Sequence, residues 1–126
     1  MVIDNYNFKH NTLENFQKDC KGRKLIIIGD QGEIEFMKWN FLGQLGLNVD
    51  QYYYTNDAAY IEEQVHNIKN HVGDTSVVIL IASCHPFRVQ RLLKEAGFTN
   101  WYSTQLFMER YCFYNNTNIC HFYLDE

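Results

Sequence analysis

The chain has 126 residues, enough for one domain and one core. Its 11 Lys and Arg stand against 15 Asp and Glu, a formal charge of −4 with no basic run, which argues against a nucleic-acid or anionic-membrane surface. Neither surface offers an acidic protein a counterion-release gain. With 46% hydrophobic and 16% aromatic residues, one proline and seven glycines, the composition excludes a linker or a disordered segment.

The first eleven residues carry Asp4 and several Asn where a signal peptide needs an apolar run, and no stretch nears the roughly 20 apolar residues that span a bilayer. A cytoplasmic location is the expectation. Cys20, Cys84, Cys112 and Cys120 form no C-x-x-C pair and fit free thiols in a reducing compartment. The Asn115-Asn116-Thr117 sequon is accordingly expected as a turn.

Residues 12–21 (TLENFQKDCK) predict a short helix, with Thr12 as N-cap, Leu13 and Phe16 on the apolar face and Gly22 as the stop. The run Leu25-Ile26-Ile27-Ile28 ending at Gly29 predicts a strand buried on both faces, because nothing in it alternates. Ile34, Met37, Phe41 and Leu45 then recur at helical spacing over 33–45, closed by Gly46. Residues 49–55 (VDQYYYT) are rich in β-formers.

A helix from about Ala58 carries Ile61, Val65, Ile68 and Val72 on one stripe and ends at Gly73. Residues 76–82 (SVVILIA) read as a second buried strand. Pro86 suits a helix start, with Val89, Leu92, Leu93 and Ala96 facing inward and Gly97 beyond the end. Short elements follow: a strand at 101–103, a helix at 105–110 and an edge strand at 119–124. Alternating strands and helices are the mark of βαβ units, so the expected fold is α/β: one domain over 1–126, a small open Rossmann-like, mainly parallel sheet of about four to five strands with helices on both faces.

Ligands of such sheets bind at the carboxyl ends of the strands, which singles out three loops. In the first, Gly29-Asp30-Gln31-Gly32-Glu33, the glycines suit a tight turn and close backbone approach. The G-x-G-x-x-G dinucleotide spacing is absent, and Gln31 stands near where a glycine would clear room for pyrophosphate. Asp30, Glu33 and Glu35 put negative charge at the helix start, where it competes with a phosphate for the dipole. The second loop offers Asn56 and Asp57, as ribose-hydroxyl acceptors or simply as helix caps. The third, Ser83-Cys84-His85-Pro86, can cap a helix or meet an anion, and the helix dipole would favour a Cys84 thiolate.

Several enzyme signatures fail on spacing. A cysteine-phosphatase loop needs C-x5-R, but Gln90 occupies that place. G-x-S-x-G is absent, and Ala82-Ser83 stands where a phosphoacceptor aspartate would follow the third strand. His66 and His71 lie five apart, off the spacing that aims two ligands at one metal. Cys84-His85 and Cys120-His121 are adjacent, so no metal site and no catalytic set is expected.

Three pieces, 24–35, 77–83 and 92–98 (LLKEAGF), resemble a Rossmann-like domain of bacterial surface-sugar biosynthesis. That family's domain stands N-terminal in sugar acetyltransferases, where it binds the nucleotide-sugar, and is appended to glycosyltransferases and sugar methyltransferases. The resemblance covers about three quarters of the chain and implies a non-catalytic module binding a nucleotide or nucleotide-sugar. The three loops give the expected site as Gly29, Asp30, Gln31, Gly32, Asn56, Asp57, Ser83, Cys84 and His85, and the resemblance implies a setting in surface-polysaccharide biosynthesis. Two alternatives stay open. One is a degenerate scaffold acting through protein contacts, as a homodimer or with a partner enzyme domain. The other is a small transferase or oxidoreductase using Cys84 or His85.

Overall fold

The structure is a computed structural model that describes residues 13–55 and 58–104. The Thr12 cap, the expected elements at 105–110 and 119–124, Cys112 and Cys120, and the second-loop residues Asn56 and Asp57 lie outside the described residues.

The described elements run α1 (Leu13–Cys20), β1 (Leu25–Gly29), α2 (Gln31–Met37), β2 (Gln51–Tyr54), α3 (Ile61–Val72), β3 (Val78–Ala82), α4 (Pro86–Glu95) and β4 (Trp101–Ser103). The strands form one parallel sheet in the order β2-β1-β3-β4. β1 and β3 are central and buried at every position, which is why both read as unbroken apolar runs.

Residues on the two faces of the sheet feed two cores, as the period of two requires. Ile26, Ile28, Ile79 and Ile81 pack with Ile61, Val65 and Ile68 of α3 and Val89 and Leu93 of α4. On the other face Leu25, Ile27, Val78 and Leu80 meet Phe16 of α1 and Ile34 and Met37 of α2. The helices therefore flank both faces, in an α/β architecture with an open parallel sheet.

The helix expected over 33–45 takes a different course. After Met37 the chain makes a π turn, Lys38–Leu42, whose wider winding adds a residue between inward positions. Met37 and Leu42, five apart, are both buried, whereas Phe41 and Leu45 are only partly covered. Gly73 and Gly97 take φ of +75° and +97° at the ends of α3 and α4, the left-handed backbone that stops a helix.

Candidate functional site

The strand order reverses between β1 and β3. The chain leaves β1 through α2 on one face of the sheet and leaves β3 through α4 on the other. The carboxyl ends of these two strands are therefore the switch point at which open α/β sheets hold ligands. The four strands are in register there. Gly29 pairs with Tyr54 on one side and Ala82 on the other, and Ile81 pairs with Ser103.

The residues that follow the strands are polar and mostly buried: Thr55 after β2, Asp30 after β1, Ser83 after β3 and Thr104 after β4. Thr55, Ser83, Ser103 and Thr104 are each at most 1% exposed, although a buried hydroxyl is costly unless it is bonded. Their backbones extend the sheet: Thr55 N–H donates to Gly29 O, Asp30 N–H to Ala82 O, and Thr104 N–H to Ile81 O, at 2.8–3.1 Å.

Asp30 is the hub of this row. It takes the N-cap position of α2 with an extended backbone, but its carboxylate does not cap the helix. Instead Oδ1 accepts the Thr55 hydroxyl at 3.1 Å, and Oδ2 accepts the Cys84 backbone N–H at 2.8 Å. One side chain thus ties together the loops that leave β2, β1 and β3. Ser83 does a similar service within its loop, its Oγ accepting the His85 N–H at 3.0 Å.

Glu33 was expected among the charges around the helix start. In the structure it is 5% exposed, and neither carboxylate oxygen has a hydrogen bond of normal geometry among the described residues. Burial, with the nearby Asp30 charge second, raises its carboxyl from 4.5 to about 7. Weak hydrogen bonds from the Cys84 and Thr104 side chains pull the other way without outweighing burial. The carboxylate oxygens of Asp30 and Glu33 and the Cys84 Sγ all lie within 4.8 Å of one another.

That grouping overturns the expectation of a dipole-stabilised thiolate. Burial, the hydrogen bond with Asp30 and the two carboxylates push the Cys84 thiol up to about 12. A helix end carries only about half an elementary charge, less than the carboxylates oppose to it.

The two glycines of the first loop also part company. A Cβ on Gly29 would meet the Ala82 carbonyl oxygen at 1.9 Å, so this glycine is required by the closeness of β1 and β3. A Cβ on Gly32 would meet nothing within 4 Å, so no contact within the fold itself requires this glycine. Gln31 beside it is exposed, and His85 is half-buried at the start of α4.

The structure thus brings Gly29, Asp30, Ser83 and Cys84 together at the carboxyl ends of β1 and β3 and leaves Gln31 and Gly32 exposed beside them. Sequence reasoning took Thr55 only as the start of the second loop and missed Thr104. The signal for them was a small hydroxyl residue directly after each outer strand.

Two grooves lie elsewhere. One of about 420 Å³ is lined by Cys20, Arg23, Leu45 and Asn48 at the amino ends of β1 and β2. Another of about 310 Å³ lies between the first turns of α3 and α4, lined by Ile61, Glu62, Arg88 and Arg91. No family model, curated protein or solved structure matches the chain.

Proposed function

We propose that this domain is a binding module for a nucleotide or nucleotide-sugar, held at the carboxyl ends of β1 and β3. The carrying observation is the reversal of strand order at that point together with the row of buried polar residues around it. The Asp30 carboxylate has more lone pairs than its internal hydrogen bonds use, which leaves it a suitable acceptor for a ribose or sugar hydroxyl. The open space at Gly32 leaves room for the ligand's body. Arg88 and Arg91, in the groove at the same end of the sheet, are the cations suited to phosphate. A place in surface-polysaccharide biosynthesis follows only from the resemblance in the three sequence segments.

The test is a thermal-shift screen with dinucleotides, S-adenosylmethionine, nucleoside diphosphates and nucleotide-sugars. A ligand at 100 times its Kd adds about 2.7 kcal/mol, which raises the Tm of a domain this size by several degrees. A shift confined to one class, and lost in a folded Gly32→Trp variant, supports the reading. Unchanged affinity in Gly32→Trp, or no shift with any class, overturns it.

A second reading, self-association, is favoured by Trp39, which is 79% exposed in the π turn. Tryptophan is enriched among the residues that anchor protein interfaces. Light scattering that shows only monomer over a wide concentration range sinks it.

A further inference from the structure

We infer that Asp30, Glu33 and Cys84 form a binding site for a divalent transition-metal ion of the zinc type. The three side chains come from the β1–α2 loop, the first turns of α2 and the β3–α4 loop, so only the fold assembles them. Their donor atoms lie within 4.8 Å of one another. Tetrahedral zinc, with bonds of about 2.0–2.3 Å, sets its ligands roughly 3.3–3.6 Å apart. The present span is wider, so binding requires the three donors to draw together by about 1 Å around the ion.

Three features separate this trio from an ordinary acidic patch. Glu33 is 95% buried, and beyond weak contacts from the Cys84 and Thr104 side chains neither oxygen has a hydrogen bond of normal geometry among the described residues, an arrangement that makes a buried carboxylate costly and that a cation relieves. No salt bridge joins Asp30 or Glu33 to a cation among the described residues. Asp30, in contrast, has each oxygen oriented by one hydrogen bond, from Thr55 and from the Cys84 N–H, as the supporting shell of a metal ligand requires.

The donor set selects the ion. A thiolate with two carboxylates suits zinc and its neighbours, whereas magnesium and calcium take oxygen alone. Three protein ligands leave the fourth position of the ion to water or to a ligand at the site. The sequence screen missed the site because it sought local pairs, and here 54 residues separate Asp30 from Cys84. The inference stands on the side-chain cluster and does not need the nucleotide reading.

The experiment uses the full chain, stripped with chelator and titrated calorimetrically with Zn²⁺ and then with Mg²⁺. A parallel titration with Co²⁺ is followed by its sulfur-to-metal charge-transfer absorption. The expected result is one equivalent of Zn²⁺, at least 100-fold preference over Mg²⁺, and a thiolate band with Co²⁺. Cys84→Ser should abolish the band, and Glu33→Gln should weaken Zn²⁺ binding at least tenfold while leaving the metal-free protein folded. If either variant unfolds, Asp30→Asn with the same readouts replaces it. Zn²⁺ binding that is absent, or that Cys84→Ser and the carboxylate variant leave unchanged, overturns the inference.

Discussion

Gly29 and Ala82 face each other across β1 and β3 so closely that a Cβ on Gly29 would sit 1.9 Å from the Ala82 carbonyl oxygen. That oxygen also accepts the Asp30 N–H at 2.9 Å, so the contact sets where Asp30 enters the site. Gly29→Ala must force the central strands apart at this end, with an expected loss of at least about 3 kcal/mol or no folded protein at all. Gly32→Ala, in open space within a helix, should be neutral or stabilising by up to about 1 kcal/mol. Urea unfolding of the two variants checks the contrast, and equal effects would refute it.

Glu33 gives the metal-free protein a pH dependence of definite sign. Unfolded, the carboxyl titrates near 4.5; folded, near 7. Within that window the folded state holds more of the proton, so stability falls as pH rises, by about 3 kcal/mol in total. Below 4.5 both states are protonated and the contribution vanishes. Denaturant midpoints from pH 4 to 8 should show this decline in wild type, and a flatter profile in Glu33→Gln. Parallel profiles would mean that Glu33 is not buried as a lone acid.

Cys84 should be a sluggish nucleophile. With its thiol raised to about 12, alkylation at pH 8 is expected at least tenfold slower than for free cysteine, whose thiol titrates near 8.5. Peptide mapping after timed iodoacetamide exposure resolves it from Cys20, itself raised to about 11 by burial and Asp19. A Cys84 faster than the free amino acid would revive the transferase or oxidoreductase alternative.

Asp30→Ala should cost about 1–3 kcal/mol, because it orphans the Thr55 hydroxyl and the Cys84 N–H. Thr55→Val should cost about 1 kcal/mol. Since they share one hydrogen bond, their double-mutant cycle should show coupling of roughly 0.5–1.5 kcal/mol. Strict additivity would show that the bond contributes nothing.

What the sequence disclosed followed from burial acting on local pattern. β1 and β3 lack a solvent face, so Ile26–Ile28 and Val78–Ile81 could hardly be anything but central strands. Pro86, Gly73 and Gly97 marked helix ends through backbone constraints that need no tertiary context. The π turn escaped because Phe41 and Leu42 are adjacent and both apolar, and only packing against the sheet chooses between them.

Glu33 reads as a solvated charge, yet it lies four residues before Met37 and so shares that residue's inward stripe. The protonation of Cys84 was not legible at all. It depends on two carboxylates brought from more than fifty residues away, whereas the helix dipole that suggested the opposite is local.

The bond from the Cys84 amide to Asp30 makes one backbone position a natural reporter. In a heteronuclear NMR spectrum the Cys84 cross-peak should move with whatever neutralises or engages the Asp30 carboxylate, because its proton points at that charge. The Asp30 amide, bonded instead to the Ala82 carbonyl, should stay with the sheet. Two signals of opposite behaviour in ¹⁵N-enriched protein would distinguish occupancy of the site from a general loosening of the fold, without a mutation or an attached probe.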